Sequence, residues 1–317
     1  MAGSADIRFS SNGCMLAGTY TEAAAPIAAA LVLAGSGRIN RDSDARLLRT
    51  GVTKAVADAL TAAHVSSLRY DKRGIGASEG DYYRAGMADV LADARAALGW
   101  LAARATGLPL LVVGHSEGAI HAAEMGADPD VAGVVLLSMP AQKGEQVLAW
   151  QTAMLASRLP RSARLILRIG RTDIIRIQRK RAAQIKAAPT DMMRIHGVRL
   201  NARWFRDFMA CDPSQALAQV AVPVLAITGG HDLQVDPGDV DTMSRLVTGP
   251  FEGHVVGDLS HLLRPDPGSA GPRGYRRAVR QPVSPEALDL ITGWVTSRWG
   301  PAAGAQEAAR RPRTREI

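Results

Sequence analysis

Short apolar runs alternate with amphipathic segments along most of this chain. Three of the runs have the length and composition of buried strands, namely 28–33, 108–113 and 131–137, and a further strand is predicted at 65–70. Helical patterns occupy 51–64 and 87–104 between them. This alternation predicts an α/β fold whose central sheet is mostly parallel and is covered by helices on both faces.

Both ends of the chain extend this sheet. Residues 7–9 and 15–20, separated by Ser-Asn-Gly, predict an opening β-hairpin. Two later strands are predicted at 223–228 and 251–257, and a closing helix at 284–299 begins with Ser-Pro-Glu.

One long segment breaks the alternation. Residues 140–211 have a helical composition in which apolar side chains, among them Leu165, Ile166 and Ile169, alternate with arginines. We interpret 140–211 as a helical cap inserted into a core made of 1–139 and 212–300. The Ala-, Arg- and Pro-rich tail, 301–317, is predicted to be disordered.

The positive charge of the chain is concentrated in this cap. The 317 residues carry a net charge of +8, and 158–206 alone contains 14 Lys or Arg and two acidic residues. Three interpretations remain open: a solvated arginine-rich face, attraction of an anionic substrate such as a CoA thioester or acidic lipid, and docking on an anionic membrane surface. Nucleic acid is not expected as a partner, because no aromatic side chains or known binding module accompany the arginines.

The composition is that of a soluble globular protein, with 47% hydrophobic and 21% charged residues. The N-terminus has no apolar segment of signal-peptide length, and no window is long enough to span a membrane. Two cysteines, Cys14 and Cys211, do not indicate a disulfide framework. We therefore expect a cytoplasmic protein.

The main candidate for chemistry is Gly-His-Ser-Glu-Gly at 114–118, between the apolar run that starts at 108 and an Ala-rich helical segment. A strand that turns into a helix through Gly-x-Ser-x-Gly is a nucleophile elbow, in which the glycines allow a sharp, closely packed turn. This turn would present Ser116 at a helix N-terminus, where developing negative charge is favoured. The alternative is an ordinary turn with a helix-capping serine.

An acid and a base follow in the chain. Asp232 comes after the strand predicted at 223–228, and His261 follows the strand predicted at 251–257. Because parallel strands end at one edge of a sheet, we predict that Ser116, Asp232 and His261 form a catalytic triad. Asp236 is the competing acid, but Asp232 lies closer to the strand end.

Two backbone N–H groups are predicted to form an oxyanion hole. The first belongs to Ser36 in Gly-Ser-Gly after the strand at 28–33, with Gly37 as the second choice, and the other belongs to Glu117 after the nucleophile. No His, Cys and Asp cluster has metal-ligand spacing, and no phosphate-binding loop with a lysine occurs. Neither a metal nor a cofactor is expected.

The charged, Gly-rich loop at 71–78 offers further ionisable groups. Its Asp71 and Arg73 follow the strand at 65–70. We predict a structural role for both residues, in which the loop is held by its own ion pairs and turn hydrogen bonds.

The chain resembles bacterial α/β-hydrolases of the carboxylesterase and acyl-thioesterase-like branch. The segments that carry the resemblance are LAGSG at 33–37, YDKRGIGAS at 70–78, GHSEG at 114–118, WFRDF at 204–208 with CDP at 211–213, GGHDLQV at 229–235 and SHLL at 260–263. One departure is Ala34, at a position where such families often have a histidine before the oxyanion loop.

The resemblance implies the α/β-hydrolase fold and cofactor-free hydrolysis of carboxylic esters. The expected activity is that of a serine esterase that acts on a small-molecule ester through an acyl-enzyme intermediate. An acyl-CoA thioesterase using the same triad is the first alternative. A ligand-binding homologue without catalysis is the second.

Overall fold

Twelve strands and nine helices lie within the residues that this computed structural model describes, which are 3–160, 162, 164, 172–266 and 277–301. The strands are β1 (Gly3–Ser11), β2 (Cys14–Glu22), β3 (Ala28–Leu33), β4 (Asp44–Ala45), β5 (Leu48–Arg49), β6 (Val65–Tyr70), β7 (Leu110–His115), β8 (Val131–Leu137), β9 (Met192–Ile195), β10 (Val198–Asn201), β11 (Val224–Gly229) and β12 (Phe251–Val256). The helices are α1 (Val52–Ala62), α2 (Met87–Arg104), α3 (Glu117–Met125), α4 (Gly144–Ser157), α5 (Ile174–Lys186), α6 (Ala202–Ala210), α7 (Pro213–Leu217), α8 (Asp239–Leu246) and α9 (Pro285–Trp299).

Eight of the strands form one sheet in the order β1-β2-β6-β3-β7-β8-β11-β12. The pairings of β1 with β2 and of β2 with β6 are antiparallel, and the pairings from β6 to β12 are parallel. The prediction of a mostly parallel α/β sheet is therefore confirmed. The parallel strands deliver their C-terminal ends, and the loops that follow them, to one edge of the sheet.

Helices cover both faces of the sheet, because the parallel strands are apolar on both sides. On one face α2, α3, α7 and α8 enclose a core that includes Leu98, Ile120, Leu217 and Met243. On the other face α1 and α9 pack around a core that includes Leu60 and Trp294. The sheet is thus the rigid middle layer of a three-layer sandwich.

Several predicted elements match the structure to the residue. The predicted bounds of β3, β6, β8 and α2 are those observed, whereas β1 and β2 are longer than the predicted hairpin. Within 140–211 the structure has α4, α5 and α6, and also the antiparallel hairpin β9–β10, which the composition did not predict. The short length of these strands and their arginines hid the alternation that identifies a strand.

The last helix of this segment is firmly attached to the core. The side chain of Asn201, which caps α6, donates hydrogen bonds to the carbonyl oxygens of Tyr82 and Ala85, at 2.6 and 2.7 Å. Asp207 accepts the N–H of Met87 at the start of α2, at 3.1 Å. These contacts fix α6 above the C-terminal edge of the sheet.

Some predictions fall outside the described residues, namely those for Leu165, Ile166, Ile169 and nearly all of the tail at 301–317. Across the described ranges, none of the helices is both long enough and apolar enough to span a membrane.

Candidate active site

The predicted nucleophile elbow lies between β7 and α3. Ser116 has φ 56° and ψ −117°, a strained conformation for a residue with a side chain. A Cβ on Gly114 would lie 2.1 Å from the carbonyl oxygen of Gly118, and a Cβ on Gly118 would lie 2.5 Å from the carbonyl oxygen of Leu33. A side chain at Gly114 would push α3 away from β7, and a side chain at Gly118 would push α3 away from β3, so both positions require glycine.

Asp232 and His261 meet at the same edge of the sheet. The Nδ1 atom of His261 lies 2.8 Å from Oδ2 of Asp232, and both side chains are buried. A carboxylate oxygen accepts hydrogen bonds, so the His261 Nδ1–H is the donor in this contact, and Nε2 is the ring nitrogen that Asp232 does not engage. This is the arrangement that the sequence predicted for the acid and the base.

Backbone hydrogen bonds hold the two loops that carry this pair. The N–H of Gly230 donates to the carbonyl of Val256 at 2.8 Å, and the N–H of His231 donates to that of Leu259 at 3.0 Å. The other carboxylate oxygen of Asp232 accepts the N–H groups of Gln234 and Val235, at 2.7 and 3.0 Å. These bonds orient the carboxylate from the opposite side to the imidazole.

Ser116, the predicted nucleophile, is not joined to this pair. Among the described residues, no hydrogen bond links the Ser116 hydroxyl to the His261 ring. The residue before the serine makes the contact: the ring of His115 lies 4.9 Å from that of His261 between centroids, and its Nε2 donates to the His261 carbonyl at 2.8 Å. Burial, with the adjacent His261 ring, lowers the pKa of His115 to about 4, so this ring is neutral.

The loop after β3 runs beside the elbow. A Cβ on Gly35 would lie 3.3 Å from Cβ of Ser116, and Ser36 and Gly37 line the same cavity as Ser116 and Glu117. Since Glu117 is the first residue of α3, its N–H has no acceptor within the helix. The N–H groups of Ser36 and Glu117, predicted as oxyanion donors, thus belong to residues that line one cavity with the serine.

A buried ion pair connects these two predicted donors. The ammonium of Lys72 donates to the carbonyl oxygen of Gly35 at 2.6 Å and lies 3.5 Å from Oε2 of Glu117. The carbonyl of Gly35 belongs to the same peptide unit as the N–H of Ser36. From α6, the indole N–H of Trp204 donates to the other oxygen of Glu117.

The charge of Glu117 is balanced inside the protein. Burial alone would raise the pKa of this carboxyl, but the charges of Lys72 and His121 outweigh burial and lower it to about 2. His121 lies 3.9 Å from Glu117 and 2.8 Å from Glu124. Burial would lower the pKa of His121, but these two carboxylates raise it to about 9.

A cavity of about 320 Å³ opens above Ser116. Its floor comes from the elbow and the loop after β3, and its roof comes from α4, β10 and α6, with Leu148, Leu200, Trp204 and Phe205 as apolar lining. An apolar cavity of about 480 Å³ adjoins it and shares Leu148, Gln151, Leu200 and Phe205. This size and lining suit a small organic molecule.

The competing candidates have other roles. Asp236 accepts the N–H of Gly238, His231 contacts the carbonyl of Asp266 at 2.6 Å, and His254 lies in β12 beside Glu252. In the loop at 71–78, Asp71 pairs with Arg41 at 2.9 Å, while Arg73 binds Asp93 through two hydrogen bonds. Both ion pairs join the loop to other parts of the chain, so the prediction that the loop is held by its own ion pairs is wrong.

Four side chains at this site were not singled out by the sequence. Lys72 was included in the structural loop, Trp204 in the cap, and His115 and His121 in the elbow and its helix. For Lys72, the available signal is its charge in YDKRG directly after a buried strand. The pattern offers no comparable signal for Trp204, His115 or His121. Within the described ranges, no group of three or more His, Cys, Asp or Glu side chains could hold a metal ion.

The sheet order and the strained elbow define an α/β-hydrolase. A family model described as serine aminopeptidase, S33 (Hydrolase_4) matches residues 49–264, which is more than half of the chain. This chain therefore belongs to that family of hydrolases.

Similar proteins carry the word esterase in their names. Esterase EstD of Thermotoga maritima is 25% identical over an alignment of 284 residues, and the match covers 87% of this chain and 64% of EstD. The chain thus spans less than two thirds of this curated relative. An esterase of Pyrococcus furiosus, Pf2001, superposes with a TM-score of 0.62 at 16% identity and covers 94% of this chain and 92% of its own.

A second solved structure is Est1E of Butyrivibrio proteoclasticus with ferulic acid bound. The superposition has a TM-score of 0.58 at 16% identity and covers 95% of this chain and 99% of the Est1E chain. At these identities the structural matches establish the fold.

Proposed function

We propose that this protein is a serine esterase that cleaves a small carboxylic ester through an acyl-enzyme intermediate on Ser116. The observation that carries the proposal is the buried 2.8 Å contact between His261 and Asp232, at the sheet edge where the strained Ser116 elbow also lies. The names of EstD, Pf2001 and Est1E support an ester as substrate.

The proposed first step is attack of the Ser116 hydroxyl on the ester carbonyl. His261 Nε2 takes the hydroxyl proton and then gives it to the departing alcohol, while Asp232 holds the ring and offsets its positive charge. Water hydrolyses the acyl-enzyme by the same route. Among the described residues the hydroxyl and the ring are not hydrogen-bonded, so the proposed attack requires this hydrogen bond to form when the substrate binds.

The oxyanion of the tetrahedral intermediate would accept the N–H groups of Ser36 and Glu117. We assign Lys72 a positioning role for this hole. Its ammonium holds the carbonyl of the Gly35–Ser36 peptide and so polarises the N–H at the other end of the same peptide unit. Glu117 in turn holds the ammonium and carries the second N–H donor.

An aminopeptidase, the activity in the family description, is less well supported. Such an enzyme must bind a free α-ammonium group, which calls for an uncompensated carboxylate. Glu117 carries the one carboxylate among the described residues that line the cavity, and Lys72 and Trp204 already engage it. The cavity is therefore better suited to a neutral or negatively charged substrate.

The experiment is turnover of p-nitrophenyl esters of increasing acyl length, with acyl-CoA thioesters in parallel. Wild-type protein should release p-nitrophenol, and Ser116→Ala should lower kcat/KM by about a thousandfold or more. Preferential cleavage of the thioesters would indicate the thioesterase alternative. Binding of esters without turnover by the wild type would indicate the non-catalytic homologue and overturn the proposal.

A further inference from the structure

Two arginines flank one tyrosine at the cavity above Ser116. Arg38 lies in the loop after β3, Arg199 lies in β10, and Tyr83 lies between β6 and α2; all three line the cavity. The guanidinium carbons are 5.4 Å and 6.0 Å from the centre of the Tyr83 ring. Arg38 also donates to the Tyr83 hydroxyl at 3.2 Å.

Neither guanidinium has an acidic partner. Over the described part of the chain, no carboxylate oxygen lies within 4 Å of Arg38 or Arg199, and both residues are exposed. The less exposed Arg41, Arg69 and Arg73 each pair with a carboxylate. The carboxylate that shares their cavity, that of Glu117, is neutralised by Lys72. The cavity consequently has two uncompensated positive charges.

Two like charges on one aromatic ring repel each other, and an anion placed between them removes that repulsion. Guanidinium groups bind carboxylate and phosphate oxygens through paired N–H donors, and stacking on a ring orients those donors in advance. Arg38 and Arg199 come from opposite sides of the cavity. Arg38 lies two residues after Ser36, in the loop that forms part of the floor, and Arg199 lies in the roof.

We propose that Arg38 and Arg199 form an anion subsite and that the substrate is an ester carrying a carboxylate or phosphate group on its acyl or alcohol part. This inference rests on the proposed esterase function and names its substrate class. The anionic group would bind at Tyr83 while the ester carbonyl lies at Ser116. Binding there also orients the scissile bond, so part of the gain is expected in kcat.

The test compares each anionic ester with its neutral methyl ester. Mono-p-nitrophenyl glutarate places the charge on the acyl part, and 4-acetoxybenzoate places it on the alcohol part. The variants are Arg38→Met, Arg199→Met and the double variant. The matched control is Arg194→Met, because Arg194 pairs with Arg199 across the β9–β10 hairpin but lines a separate surface cavity.

We expect the wild type to favour one of the anionic esters over its methyl ester. Each single variant should lower kcat/KM for that anionic ester by about tenfold. The kcat/KM for the neutral methyl ester should stay within about twofold of the wild-type value. High salt should weaken the preference of the wild type. Equal losses on the charged and neutral esters, or the same loss in Arg194→Met, would overturn the anion subsite.

A binding measurement separates this inference from the esterase proposal. Calorimetry on Ser116→Ala needs no turnover and should detect tighter binding of the anionic ester than of its methyl ester, with the difference lost in Ser116→Ala combined with Arg38→Met and Arg199→Met. Turnover of neutral esters without any anionic preference would remove the subsite and leave the esterase. Anion binding without turnover of any ester would keep the subsite and remove the esterase.

Discussion

Replacing Lys72 by methionine removes a buried positive charge and keeps most of the length of the side chain. In the wild type the ammonium lies 2.6 Å from the Gly35 carbonyl and 3.5 Å from the Glu117 carboxylate, and the two charged side chains are 10% and 3% exposed. The variant therefore leaves a carboxylate inside the protein without its main counter-charge. It also frees the peptide unit that presents the N–H of Ser36.

The cost in stability follows from these distances. Two unit charges 3.5 Å apart interact by about 5 kcal/mol at an effective dielectric constant of about 20. Removing one partner of a buried pair typically costs about 3–5 kcal/mol, because the other charge stays buried. Since His121 and Trp204 still contact Glu117, we expect Lys72→Met to lower the free energy of unfolding by about 3 kcal/mol.

The cost in activity should appear mainly in kcat. Removal of a whole oxyanion donor typically costs about 10²–10³ in kcat. Lys72→Met would displace a donor without deleting it, so we expect a loss of about tenfold to a hundredfold with little change in KM. Urea denaturation and steady-state kinetics on a p-nitrophenyl ester measure the two effects.

Two control variants separate the effect of the buried ion pair from that of losing any lysine. Lys54→Met breaks an exposed lysine–carboxylate pair, Lys54 with Asp58 at 2.7 Å, and should change stability by less than about 1 kcal/mol. Combining Lys72→Met with Glu117→Gln removes both buried charges and should recover stability but not kcat. If Lys72→Met behaves like Lys54→Met in both assays, the proposed link between the ion pair and the oxyanion hole is wrong.

Three further predictions follow from the site. Asp232→Asn should reduce kcat on the order of 10³–10⁴-fold with a nearly unchanged melting temperature, because the imidazole loses its correct tautomer; a loss below tenfold would argue against Asp232 as the acid. The pKa of His121 is raised to about 9, so its contribution to stability is complete below about pH 6.5 and is lost as the pH rises towards 9. In the wild type this loss should be about 3 kcal/mol in the free energy of unfolding, measured by chemical denaturation, and it should be absent in His121→Gln. The same pH profile in both proteins would contradict the contact of His121 with the two carboxylates. Gly118→Ala should destabilise the fold by about 2 kcal/mol or more in the same assay, because its Cβ would lie 2.5 Å from the Leu33 carbonyl; wild-type stability would show that the elbow can relax.

Most of the sheet could be predicted from the sequence because its central strands are apolar on both faces. The bounds of β3 and β8 follow directly from uninterrupted apolar runs. The hairpin β9–β10 could not be found in this way, since its four-residue strands are half exposed and carry arginines. Its position matters, because β10 brings Arg199 over the cavity.

The contact between His261 and Asp232 was predictable for a topological reason. Both residues follow parallel strands that are neighbours in the sheet, β11 and β12, so their loops must meet at the same edge. The ion pair of Lys72 with Glu117 was not predictable, because it joins loops after β6 and β7, which β3 separates. Such a contact depends on side-chain lengths and on the depth of each loop, which periodicity does not encode.

The central claim is that Ser116 is an activated nucleophile, and covalent labelling tests it without knowledge of the natural substrate. Wild-type protein should react with a fluorophosphonate at a single site, and peptide mass spectrometry should place the adduct on Ser116. Ser116→Ala should not react, and His261→Ala should react far more slowly because the hydroxyl has lost its base. An unlabelled wild type, or labelling that persists in Ser116→Ala, would contradict the account.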